Sequence, residues 1–107
     1  MTKSKVDAGS CGIITSIEAV KDDDLNLTID VRSGCSIIND MMKNVGTDTF
    51  KCYDICLKSV NQSVFFQKGA KDLPLHPSCP VIAGIIKTAE VECGLMPPKD
   101  VTIIFEK

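Results

Sequence analysis

The sequence predicts an α+β domain, a small antiparallel or mixed sheet (a hairpin plus a C-terminal strand) with three helices packed on one face. Three observations carry this. Residues 13–32 hold two stretches of alternating apolar and polar residues on either side of an acidic turn. Between residues 36 and 93 the apolar residues recur instead at helical spacing, in three separate runs. At the end, Val101-Thr102-Ile103-Ile104-Phe105 returns to β-branched and aromatic residues. With 107 residues and 44% hydrophobic content, the chain suits one domain over residues 1–107 with one core. That core is aliphatic, because Trp is absent and aromatic residues are few.

Residues 1–8 are polar and are expected to form a loose N-terminus. Ile13 to Val20 alternates and suits a strand, and Lys21-Asp22-Asp23-Asp24 makes a solvated turn. The three aspartates lack the glycine and distal glutamate of a calcium-binding loop. In Leu25 to Arg32, the residues Leu25, Leu27, Ile29 and Val31 fall on one face, which completes an antiparallel hairpin. Ile37, Ile38, Met41, Met42 and Val45 predict a helix over 36–45, capped by Cys35 or Ser36 and closed by Gly46. A second helix is expected over 50–60, with Phe50, Tyr53, Leu57 and Val60 as its apolar face. Around Val64-Phe65-Phe66 both a continuing helix and an edge strand stay open. Pro74 marks a connector. The third helix runs from Pro80 to about Cys93, with Ile82, Ile85, Ile86, Ala89 and Cys93 inward and Glu90 and Glu92 on a solvated face. Gly94 stops it, and Pro97-Pro98 forbids continuation.

The composition narrows the function. Twelve basic residues stand against 14 acidic ones, a formal charge of -2, a weak case for a nucleic-acid partner, which usually wants a basic face, so none is expected. No run approaches the roughly 18 apolar residues of a membrane span. Met1-Thr2-Lys3-Ser4-Lys5 has no apolar core of a signal peptide, so a cytoplasmic protein is expected. No phosphate-binding glycine loop or serine-nucleophile signature is present.

The six cysteines are the chemical signal. In a reducing compartment, repeated cysteines more often bind metal or do redox chemistry than form structural bridges, although free cysteine also packs well as a small apolar residue. Cys11 lies in Gly9-Ser10-Cys11-Gly12, where glycines leave the sulfur open to approach. Cys35 in Ser33-Gly34-Cys35-Ser36 and Cys79 in His76-Pro77-Ser78-Cys79-Pro80 each stand at a helix start, where free N–H groups favour a thiolate. Strand pairing is expected to bring Cys11 and Cys35 to one edge, with Cys79 and the only histidine, His76, joining them. Three thiolates and an imidazole make a soft site for zinc or an iron–sulfur cluster. Cys52 and Cys56, four apart on a helix, can share a metal or can be two packing residues. Of the two, Cys56 is the stronger candidate ligand. Cys93 is expected to be a packing residue.

These residues resemble the U-type iron–sulfur scaffold proteins, the IscU and NifU N-terminal type. The resemblance rests on Gly9-Ser10-Cys11-Gly12 before a hairpin, Ser33-Gly34-Cys35-Ser36 opening a helix, and a late His76 and Cys79 opening another. It implies cluster assembly or zinc binding on Cys11, Cys35 and Cys79 with His76 nearby, and a metal or cluster donor or acceptor protein as partner. Ile13 stands where that family carries an aspartate, and Pro77-Ser78 separates the histidine from the cysteine. The chain is also similar to a group of small uncharacterised proteins of anaerobic prokaryotes. Those share its Cys-Gly, His-x-x-Cys-Pro and Leu-x-x-Pro-Lys-Asp pattern, and the group implies no settled activity. The Cys79-Pro80 helix start resembles the TSCPD domains. The expected function is thus a small cytoplasmic protein that holds a metal or cluster as scaffold or carrier. The alternatives are a thiol-dependent redox protein or enzyme using Cys79 with His76, and an interaction module with purely structural cysteines.

Overall fold

Two strands of strict alternation organise the domain. In the computed structural model, which covers residues 1–107, Ile14–Lys21 (β2) and Asn26–Ser33 (β3) form the expected hairpin. Asp22 builds its turn, accepting the N–H groups of Asp24 and Asn26 at 2.9 Å each, so the acidic run serves the backbone. Thr15, Ile17 and Ala19 from β2, with Leu27 and Ile29 from β3, are buried on one face. The helices cover that face alone, in the two-layer α+β arrangement expected from the sequence.

The strands that flank the hairpin differ from expectation. Thr2–Asp7 (β1) is no loose terminus but an edge strand, paired antiparallel along β2 from Thr2↔Ala19 to Asp7↔Ile14. Its inward positions, Thr2, Ser4 and Val6, are half-buried, and Lys3, Lys5 and Asp7 face water. Two of those inward residues are hydroxylic, so the period-two pattern carries no apolar signal. Thr49–Lys51 (β4) pairs with β3 on the other side and completes the antiparallel order β1-β2-β3-β4. The expected C-terminal strand does not join the sheet: residues 101–107 have no strand pairing and are exposed. The two hairpin edges are taken by segments nearer in sequence, which close at lower entropic cost.

The first helix, Ser36–Val45 (α1), has the expected bounds, with Cys35 as N-cap and Gly46 at φ 80° as its stop. The second is much shorter than expected, Cys52–Cys56 (α2), because Phe50 is spent in β4 and packs its ring 5.8 Å from that of Phe65. The supposed apolar face is not a core face. Tyr53, Leu57 and Val60 are exposed, and Cys52 and Ile55 are buried instead. Phe65, which is fully buried, opens a wide helical turn over Phe65–Gly69 in which the Ala70 N–H reaches the Phe65 carbonyl at 2.8 Å. No helix is long and apolar enough to cross a membrane.

The third helix, Val81–Glu92 (α3), starts one residue later than expected, with Pro80 as N-cap. Its end is a complete glycine stop. Gly94, at φ 76°, donates to the Val91 carbonyl, and Leu95 donates to the Glu90 carbonyl at 2.9 Å. Along its length α3 lies antiparallel to β1. Gly84 sits over Val6, the Thr88 hydroxyl is 2.6 Å from that of Ser4, and Glu92 accepts from Thr2 at 2.7 Å and from the Lys21 N–H at 2.9 Å. Glu92, expected on a solvated face, is thus nearly buried. Burial alone would raise its carboxyl, but the Lys21 and Thr2 hydrogen bonds win and hold it below the usual carboxylate range.

Gly84 is a close-approach glycine in a helix. A Cβ there would overlap Val6 Cγ2 and meet Ile17 Cδ1 at 3.6 Å. Replacing glycine by alanine inside an exposed helix gains about 1 kcal/mol, whereas overpacking a core contact costs about 1–3 kcal/mol. Gly84→Ala is therefore expected to lower stability by up to about 2 kcal/mol, read as a lower urea midpoint at unchanged slope.

Candidate functional site

The β1–β2 connection presents Cys11. Gly9 and Gly12 both take positive φ, 81° and 69°, a conformation that costs glycine nothing. The Gly12 N–H closes on the Gly9 carbonyl at 2.9 Å, and the Gly9 N–H donates to Asp7 Oδ1 at 2.9 Å. Cys11 is left exposed at the tip. Cys35 follows the end of β3 that pairs with the start of β2. A Cβ on Gly34 would meet Ile13 Cγ2 at 3.5 Å, so the two connections touch. The backbone of Cys35 is anchored through the sheet: its N–H donates to Ser33 Oγ at 3.1 Å, and that oxygen is 2.8 Å from Oγ1 of buried Thr15. Its carbonyl accepts the Asn39 N–H, and its half-buried sulfur makes no capping hydrogen bond.

The direction of α3 decides where Cys79 falls. Because Glu92 lies beside Thr2 and Gly84 beside Val6, the start of α3 comes to the Asp7 end of β1, the end that carries the Cys11 turn. Cys79 precedes the N-cap by one residue and packs half-buried against the core. Its N–H donates to the His76 carbonyl at 3.1 Å, closing a turn with Pro77 in second place, where a fixed φ is favoured. His76 is exposed. The connections that carry Cys11, Cys35 and Cys79 thus lie at one end of the domain, and α1 and α3 both begin there. The arrangement stops short of a finished coordination shell, because no three His, Cys, Asp or Glu side chains come together in a way that would hold a metal ion.

The other three cysteines sit elsewhere. Cys52, at the start of α2, forms a disulfide with Cys93 at the end of α3, with the Cα atoms 6.2 Å apart. This corrects the expectation of Cys93 as a simple packing residue and removes Cys52 from any metal pair. Nothing local marks the partners, which lie 41 residues apart. Cys56 feels the charge of Glu90 near the same end of α3, so most of that helix, roughly 14 Å from Val81 to Glu90, separates it from Cys79. It does not belong with Cys11, Cys35 and Cys79. Burial, and then the Glu90 charge, pushes its thiol up to about 11, so it stays protonated at neutral pH and is a poor ready-made ligand.

Comparison with known proteins gives one match. A family of unknown function, DUF6951, matches residues 2–105. No curated protein and no solved structure matches the chain.

Two outcomes follow for the sulfurs. Thiol titration of the unfolded protein should count four groups without reductant and six with it, and reduction should cost about 4 kcal/mol, the entropy of opening a loop of this length. In the native protein, iodoacetamide at pH 8 should modify exposed Cys11 well before Cys56, with Cys56 catching up only as pH approaches 11. Peptide mass mapping of the labelled sites checks the order.

Proposed function

We propose that this chain, which belongs to the DUF6951 family, binds a soft metal ion or an iron–sulfur cluster at the end of the sheet that carries Cys11, Cys35, Cys79 and His76. One observation carries the reading: the three cysteines at that end are free, while Cys52 and Cys93 are cross-linked and Cys56 lies at the far end of α3. Thiolates and an imidazole are donors for Zn²⁺ or an iron–sulfur cluster. Metal binding would supply the last movement, drawing the glycine-flanked Cys11 turn and the exposed His76 turn onto Cys35 and Cys79, because the free energy of coordination couples to local ordering. A site at an exposed edge suits a scaffold or carrier that exchanges its metal or cluster with a donor or acceptor protein. A cytoplasmic setting would keep these thiols reduced, and the burial of Cys52 would shield the disulfide from the same reductants.

A second reading uses the same end differently. The Cys79–His76 turn holds those two backbones together, which suits a thiol-dependent redox protein with Cys79 as its reactive sulfur and His76 as its base. An interaction module with structural cysteines is the third.

Serine substitutions separate these. After anaerobic expression or reconstitution, bound metal should be stoichiometric in the parent protein and in Cys56→Ser, accompanied by acid-labile sulfide where the metal is the iron of a cluster. They should fall at least tenfold in Cys11→Ser, Cys35→Ser and Cys79→Ser. No metal in the anaerobic protein and none taken up on reconstitution would sink the proposal. A thiol activity lost in Cys79→Ser alone would favour the second reading.

A further inference from the structure

Outside the cysteines, the least satisfied parts of the molecule are a strand edge without a partner and a strand-like segment without a sheet. The outer edge of β1 is free, since β1 ends the order β1-β2-β3-β4. The segment Val101-Thr102-Ile103-Ile104-Phe105 has high β-propensity, yet Val101, Ile103, Ile104 and Phe105 are all exposed, Phe105 by 90%. An apolar segment of this kind on a lone chain is a liability in water.

We propose that the segment Val101–Phe105 of one copy adds antiparallel to the free edge of β1 in a second copy, and that the exchange is reciprocal. Length, face and charge all match. With Ile103 opposite Val6, Thr102 to Lys107 lie opposite Asp7 to Thr2, six residues against the six of β1, and Val101 falls just beyond the strand. The other sheet edge, β4, has three residues and runs straight into α2, which leaves too little to pair. Pleating requires Val101, Ile103 and Phe105 to share one face. On β1 the face beneath the helix layer is Thr2, Ser4 and Val6, and the water face is Lys3, Lys5 and Asp7. Pairing Ile103 with Val6 and Phe105 with Ser4 puts the apolar face under the helix layer. Lys87 and Val91, three residues on from Gly84 and Thr88, share that flank of α3 and can cover it. The same register sets Glu106 opposite Lys3 on the water face, an opposite-charge cross-strand pair. It also lays Ile104 along the aliphatic stem of Lys5.

A second copy fits better than the segment's own β1. Glu92 ties the end of α3 to the Thr2 end of β1, so a chain folding back directly from there runs parallel to β1, and an antiparallel return would first spend residues 93–100 in crossing the strand's length. The parallel direction would set Glu106 near Asp7, a like-charge pair. Two copies related by a twofold axis cover both segments and both edges at once, which closes the assembly.

Light scattering on the eluting full chain at micromolar concentration tests this. The expected mass is twice the 11.6 kDa of one chain. Ile103→Pro should give a monomer that still unfolds in one cooperative transition and has lost only the strand signal of the added segment, because residue 103 takes no part in the fold of one copy. Lys3→Glu and Glu106→Lys should each raise the dimer dissociation constant at least tenfold, and the double charge swap should restore it. In a mixture of differently labelled chains, magnetisation transfer between Ile103 and Val6 methyls should cross between copies. A monomeric parent protein, a dimer that survives Ile103→Pro, or Ile103–Val6 contacts within single chains would each overturn the proposal.

Discussion

The seating of α3 on β1 and β2 is the constraint on which the rest of the structure depends. Gly84 lets the helix approach Val6 and Ile17 as closely as backbone allows, and the Ser4–Thr88 and Thr2–Glu92 hydrogen bonds fix how far it slides. A one-turn slip would break all three contacts together. This register assigns each end of α3 to one end of the sheet. It puts Cys79 beside the Cys11 and Cys35 connections, and Cys93 where α2 delivers Cys52. Sulfur chemistry in this protein is thus sorted by helix direction.

The two ends of α3 treat sulfur in opposite ways. At its end, a buried cysteine is locked to Cys93, and a nearby half-buried one is held protonated by desolvation and by Glu90. Both are removed from ligand chemistry at neutral pH. At its start, the sulfurs stand free on short connections that join rigid elements, anchored through backbone hydrogen bonds and not through the sulfur itself. Anchored backbone with an uncommitted side chain suits binding, because the ligand then orders only a few torsions.

The sequence makes legible the elements whose buried face is apolar. The hairpin and α1 follow from Ile17, Leu27, Ile29, Ile38 and Met41, all buried where the periodicity places them. The α3 glycine stop follows from Gly94 and Pro97. Strand β1 is illegible for a stated reason. It fills inward positions with Thr2 and Ser4, whose hydroxyls are satisfied by Glu92 and Thr88, 90 and 84 residues away in sequence. The sequence pattern overextends helix α2 because Phe50, Tyr53, Leu57 and Val60 mimic a helical stripe, although only Phe50 packs inward, and it does so from a strand. At the candidate site, the gathering of Cys11, Cys35 and Cys79 at one end could be reasoned from strand pairing. The Cys52–Cys93 bridge could not, because it depends on where two helices cross.

Strand β1 also shows how one edge can be both guarded and available. Its outward lysines, Lys3 and Lys5, resist indiscriminate pairing, since a strand that buries their charges or sets another lysine opposite gains nothing. Lys3 already has a partner on the sheet surface in Glu18, 3.6 Å away, an exposed pair of small net worth. Such a pair yields cheaply to a strand that brings its own carboxylate. The edge therefore discriminates by charge on its water face and by apolar shape on its helix face. The segment around Ile103 and Glu106 meets both tests, so the features that keep the domain from aggregating would also select its own sequence as the strand it accepts.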